Sequence, residues 1–171
     1  MKLVRIGSNQ FKKLCSRNSE RKIRITKTVS NIIENVRLYG DDAIVKYTKQ
    51  FDNVKLKPHS FKVTETETSG AYQDINPEFV NTLKVAIENI TRFYKKQIKK
   101  SWKINLDDGV VLGEKYEPIE KIGIYIPSGQ VPLVSSVYMS VIPAKLAGVK
   151  KIILLTPPNK YASVDPHILV V

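Results

Sequence analysis

The sequence predicts an α/β protein: a mainly helical N-terminal region, then the βαβ start of a parallel-sheet domain that is incomplete at the C-terminus. Three observations carry this. Up to about residue 100, apolar residues recur at helical steps of three and four. From Val110 onward, short runs rich in Val, Ile and Leu are punctuated by Gly and Pro. The last of these runs, KKIILLTPP, is apolar on both faces, as a parallel strand covered by helices on both sides requires.

The elements follow in order. TVSNIIENVRLYG places Val29, Ile32, Ile33, Val36 and Tyr39 on one stripe, with Thr28 as a cap and Gly40 as a stop. DDAIVKYTKQF restarts a helix at Asp41 with Ile44, Tyr47 and Phe51 inward. The stretch from Asp52 to Ser69 is polar and irregular, with one short strand expected around Phe61–Val63. The strongest helix is NPEFVNTLKVAIENITRFYKKQIKK. Asn76 caps it, Pro77 takes its first position, and Phe79, Leu83, Ala86, Ile87, Ile90 and Tyr94 form the stripe. VVLGEKYEP and KIGIYIP then read as β-rich runs. SSVYMSVIPAKLAG reads as a helix that Pro143 should kink. Strand, helix, strand at this spacing is a βαβ unit. In SVDPHILVV, Asp165 is a cap and Pro166 a first helical residue, so Ile168 and Leu169 open another buried helix. Two strands need neighbours and cover on both faces. The end therefore reads as a truncation inside an element, with Ile152, Leu154 and Leu169 short of cover.

Composition narrows the function classes. The chain has 171 residues, enough for one domain or a little more, and 42% of them are hydrophobic, enough for a core. No apolar run is long enough to cross a bilayer. MKLVRIGSNQF lacks the sustained apolar segment of a signal peptide. The single cysteine, Cys15, makes no internal disulfide; it fits a reducing cytoplasm and reads as a packed small residue. The formal charge is +12, with cations clustered in SERKIRITK and FYKKQIKKSWK. A nucleic-acid patch is one reading. A solvated helix face is the other, and the preferred one, because the lysines recur at helical spacing and the one nearby Trp and one Tyr do not interleave with them in the way that stacks bases.

Candidate chemistry is sparse. The two histidines, His59 and His167, lie far apart, and no Cys/His set has metal-ligand spacing. There is no Walker motif and no GxSxG, and GIYIPSG lacks the full dinucleotide fingerprint. It does set a tight Pro-Ser-Gly turn at the carboxyl end of a parallel strand, where open α/β sheets bind ligands. Backbone N–H groups of Ser128, Gly129 and Gln130 would face an anion there. A plain structural turn accounts for the same residues.

EKIGIYIPSGQVPLVSSVYMSVIPAKLAGVKKIILLTPP resembles the nucleotide-binding signature of the histidinol dehydrogenase family: a Gly-hydrophobic-Tyr-hydrophobic-Pro-Gly-Gly turn, a Ser-rich helix start, Pro-Ala, Ala-Gly and a strand ending in Pro-Pro. VSNIIENVRLYGDDAIVKYTKQFD resembles the family's N-terminal helical signature, and LKVAIENITRFYKKQ its long following helix. The motifs run in the family's order from about Ile25 onward.

The resemblance implies a cytoplasmic, homodimeric oxidoreductase with Rossmann-like halves. It would oxidise L-histidinol to L-histidine in two steps, with two NAD as hydride acceptors, a zinc ion holding the substrate, and a Glu–His pair moving protons. It implies three parts here: an arm at 1–24, a mainly helical portion at 25–113, and a partial Rossmann-like nucleotide-binding domain at 114–171. It places Tyr125, Pro127 and Phe51 at NAD, with Ser128 and Gly129 in the same turn. Ser128 stands where the family has Gly, and a side chain there hinders the turn if the position needs positive φ. The family's zinc ligands, Glu–His pair and substrate residues lie beyond Val171. No residue of this chain thus takes a catalytic or metal role, and the chain alone is expected to be inactive. Two other readings stand beside this one: a non-catalytic nucleotide-binding or subunit-interaction module, and a basic nucleic-acid-binding protein.

Overall fold

The computed structural model describes residues 3–15, 20–127 and 131–171. Contacts divide the chain into two compact units, Met1–Tyr47 and Thr48–Val171.

The first unit is helical. Helix α1 spans Asn9–Cys15, and the Ser8 hydroxyl accepts from the Phe11 amide at 3.1 Å to cap it. Cys15 ends it exposed, so it is not the packed residue expected. Helix α2 spans Glu20–Phe51 and is broken at Gly40, where φ is 54° and ψ is −130°. Only glycine adopts that backbone readily, which is why the sequence stop at Gly40 and restart at Asp41 are realised. Thr28, by contrast, lies inside α2 rather than at its start. On the stripe, Ile32 and Val36 are half-buried while Val29, Ile33 and Tyr39 stay exposed. After the break it is Ala43 that is buried; Ile44 is exposed, not inward. Across the break, Asn35 Nδ2 donates to the Tyr47 hydroxyl at 2.6 Å.

In the second unit Phe61–Val63 is not a strand. Three residues without a partner strand have nowhere to send their backbone hydrogen bonds. Pro58–Ser60 forms a 3₁₀ turn and Glu65–Ala71 forms helix α3, started by a capping box between Thr64 and Glu67. Helix α4 spans Pro77–Lys95 with Asn76 Oδ1 accepting from the Glu78 amide at 2.8 Å. Its Leu83 is buried, and Phe79, Ala86, Ile87, Ile90 and Tyr94 are half-buried along the expected stripe.

Two sheets follow, each of two strands. Strands β1, Trp102–Asn105, and β2, Val111–Glu114, form an antiparallel hairpin. A side chain at Gly113 would collide with the Trp102 carbonyl oxygen, so the register suits glycine there. Strands β3, Lys121–Tyr125, and β4, Lys151–Leu155, pair in parallel, with Lys121 beside Lys151 and Tyr125 beside Leu155. Helix α5, Val134–Leu146, crosses between them and continues through Pro143. This is the expected βαβ unit, the start of a Rossmann-like sheet. Helix α6, Pro166–Leu169, is capped by Asp165, whose carboxylate accepts from the His167 amide at 2.9 Å.

The core gathers on one side of this sheet. Ile126, Val137 and Ile168 are buried together, with Ile124, Val134 and Leu154 packed on them. A second cluster joins Ala71, Ile75, Leu83 and Val170, with Phe79 and Leu169 against it. The sheet is not covered on both faces: Tyr125, Ile153 and Leu155 stay exposed, while Ile152 and Leu154 are half-buried.

Candidate nucleotide-binding edge

The carboxyl ends of β3 and β4 are held level by hydrogen bonds. The Ile126 amide donates to the Leu155 carbonyl at 2.8 Å, one step beyond the last residue of β3. Ile126 is the most deeply buried large side chain, at 1% exposure, and it pins the chain where β3 ends. Its neighbour Tyr125 therefore points away from the core, as alternation along a strand requires, and its ring is 63% exposed. Pro127 follows, also exposed, and fixes φ as the chain leaves the sheet. Ser128 and Gly129 lie outside the described residues.

The same edge holds an unsatisfied group. Thr156, the residue after β4, has its hydroxyl oxygen buried without a hydrogen-bond partner among the described residues. Buried polar groups are nearly always paired, so a lone one at the mouth of a parallel sheet fits a site built to take a polar ligand. Sequence reading passed over Thr156; its signal was the Thr-Pro-Pro that closes the strand. Helix α5 opens soon after β3, and its first residues receive no side-chain cap from Leu133. Uncapped amides at a helix start favour an anion. The exposed lysines Lys121 and Lys151 sit at the opposite, amino end of the strands.

Tyr125 and Pro127 are thus brought to one edge. Phe51 ends α2 and is 61% exposed, so it does not turn inward as its place on the stripe suggested.

His167 lies on α6. Its Nδ1 is 2.9 Å from Asp165 Oδ1, and its ring meets Phe79 edge-on at 5.0 Å between centroids. Among the described residues no group of three or more His, Cys, Asp or Glu could hold a metal ion. The donors present therefore do not fit a zinc site. A groove of about 490 Å³ between α4, α5, β4 and α6 is lined by Ile87, Val141, Leu154 and Val171, with Lys145 its one charged side chain. It offers apolar packing and no acid–base pair.

The histidinol dehydrogenase family model matches residues 15–171. Histidinol dehydrogenase of Clostridium acetobutylicum is 42% identical over 164 residues, covering 96% of this chain and 38% of its own length. That of Gloeobacter violaceus is 38% identical over 165 residues, covering 96% of this chain and 37% of its own. The crystal structure of histidinol dehydrogenase from Elizabethkingia anophelis superposes with a TM-score of 0.80 at 34% identity, over 91% of this chain and 34% of that one. The chain thus spans little more than a third of the length of these relatives.

Proposed function

The chain belongs to the histidinol dehydrogenase family, and from that premise we propose that it contributes the dinucleotide-binding edge of an NAD-dependent oxidoreductase. The whole protein would convert L-histidinol to L-histidine in two oxidations, as a cytoplasmic homodimer. The observation that carries this reading is the exposed Tyr125 at the carboxyl end of β3, at the mouth of the parallel sheet.

Each residue has a defined task. Tyr125 offers a flat face for a ring of the dinucleotide and a hydroxyl for its polar groups. Pro127 holds the exit of β3, and Ser128 and Gly129 are assigned to the same cofactor by the family resemblance. Phe51 closes on the dinucleotide with its exposed ring. Thr156 supplies one hydrogen bond, and the open start of α5 favours the pyrophosphate charge. Bound NAD would supply the hydride acceptor. Zinc has no ligand set among the described residues, so no step is assigned to it. The proposed division is an arm at 1–24, a helical portion at 25–113, and the nucleotide-binding portion at 114–171.

This chain by itself then binds NAD weakly, because a partly enclosed ligand makes only part of its contacts, and it does not oxidise histidinol. Titration of the purified chain with NAD tests this. Tyr125→Ala is expected to weaken binding roughly tenfold, the loss of a stacked aromatic contact, and to leave the melting temperature in place because the ring is exposed. Equal affinity in the variant would return Tyr125 to a surface role. Histidinol-dependent NADH formation by the chain alone would overturn the assignment of catalysis to residues elsewhere.

A further inference from the structure

Helix α2 changes direction at Gly40, where φ is 54° and ψ is −130°. Residues with side chains resist that backbone. A Cβ built on Gly40 would meet nothing within 4 Å, so the glycine answers to the conformation and not to a close neighbour. Side-chain packing does not fill the bend either. A cavity of about 550 Å³ is lined from both sides of the break, by Asn35 and Leu38 before it and by Ala43 and Tyr47 after it. A joint with an open interior keeps one angle only if a specific contact selects it.

The Asn35–Tyr47 hydrogen bond is such a contact. Twelve residues of unbroken helix would set the two Cα atoms about 18 Å apart along the axis. Yet Asn35 Nδ2 donates to the Tyr47 hydroxyl at 2.6 Å, and both side chains are half-buried. The bond therefore exists in the bent form of α2 and is broken in a straight one. A contact present in one of two forms shifts the equilibrium toward that form.

We propose that Gly40 and the Asn35–Tyr47 pair form a latched hinge, in which the glycine supplies the joint and the hydrogen bond selects the bent form. Asn35 and Tyr47 are then positioning residues for the arms of α2. Gly40, Asn35 and Tyr47 all lie within the first unit, and the hinge is independent of the cofactor reading at Tyr125.

The distance between the arms tests the latch in the full chain. Nitroxides attached at Ser30→Cys and Lys46→Cys put one label on each arm, at exposed positions. Cys15→Ser removes the exposed native thiol. Pulsed electron resonance of this parent should give one narrow distance. Tyr47→Phe keeps the ring and removes only the hydroxyl. That change, or Asn35→Ala, should broaden the distribution toward longer distances. Amide exchange at residues 41–45 should quicken about fivefold in either variant, the weight of one net hydrogen bond. The double variant should go no further than either single one, because both remove the same bond. Asn35→Asp should keep the parent's distance, since the Tyr47 hydroxyl can donate to a carboxylate. Gly40→Ala, which penalises the joint itself, should also lengthen the distance. The parent's distance in both Tyr47→Phe and Asn35→Ala overturns the proposal, because the bend then holds without the bond. So do additive effects in the double variant, which would make the two residues act separately. So does loss of helical circular dichroism in both single variants, which would make the pair a condition for forming α2 and not a latch on its angle.

Discussion

The two faces of the parallel sheet both carry large apolar side chains and have opposite fates. On one, Ile122 and Ile124 of β3 and Ile152 and Leu154 of β4 are half-buried under the helices. Just past the strand, Ile126 is buried with Val137 and Ile168. On the other, Tyr125, Ile153 and Leu155 are exposed, as are Lys121 and Lys151 at its amino end. Hydrophobicity does not separate Ile152 from Ile153 or Leu154 from Leu155. What separates them is that α5 and α6 arrive on one side only, and that cover is set by elements distant in sequence. The carboxyl edge sits at the boundary between the two fates, which is how an exposed Tyr125 comes to neighbour Ile126, the most buried large side chain among the described residues.

Substitution should read the difference in cover most sharply at that boundary. Ile126→Ala is expected to destabilise the second unit by about 2–5 kcal/mol, the cost of a buried aliphatic side chain and the cavity it leaves. That is a large part of a total near 5–15 kcal/mol. Ile153→Ala, an equal chemical change on the exposed face, should stay within about 0.5 kcal/mol. Urea unfolding of both variants measures the difference. Equal losses would mean that the exposed face is covered in solution.

The contrast also marks what was legible in the sequence. The βαβ unit and α4 were, because period and punctuation agree: Asn76 and Pro77 start α4, and its stripe packs as spaced. Gly40 was legible because its backbone conformation is one that side chains resist. The expectation of two buried faces was not met, since KIILL states only that both faces are apolar and not which neighbours reach them. Helix α3 was missed for a different reason. ETETSGA has no apolar stripe, and its signal is the Thr64–Glu67 box alone. Strand β1 was missed because WKIN is short and its identity depends on β2. At the edge, Tyr125 and Pro127 could be named through the resemblance, whereas Thr156 needed the fold to reveal that its hydroxyl lacks a partner.

The cover on the buried face has its own supports, and removing one should give a smaller effect. Helix α6 carries Ile168 onto the sheet and begins at Asp165, whose carboxylate accepts from the His167 amide at 2.9 Å. Asp165→Ala removes that cap and is expected to cost about 0.5–2 kcal/mol. Amide exchange should quicken at Ile168 and Val170 before it does at Ile122–Ile126, because α6 can loosen while the strand pairing persists. Simultaneous loss would show that the sheet and α6 open as one unit.

The smallest effect should come from one layer further out. Helix α3 packs on α6, and the Tyr72 hydroxyl donates to the Val170 carbonyl at 3.5 Å. The start of α3 depends on Glu67, whose carboxylate accepts from the Thr64 amide at 2.8 Å and the Thr64 hydroxyl at 2.9 Å. Those bonds, the backbone one first, hold its pKa below the ordinary value of 4.5. A carboxylate with a depressed folded pKa contributes stability that is complete above its unfolded value and fades as pH falls through the folded one. Acidification from pH 6 to about pH 3 should therefore fray α3 at Thr64–Glu67, and the Glu67→Gln variant should lose most of that dependence. Glu67 is exposed, so the change should be local, read as faster amide exchange at Glu67 and Thr68 with Ile126 still protected. If Ile126 exchange rises in step with Glu67, the covered face is not supported layer by layer, and the one-sided cover responds to acid as a single body.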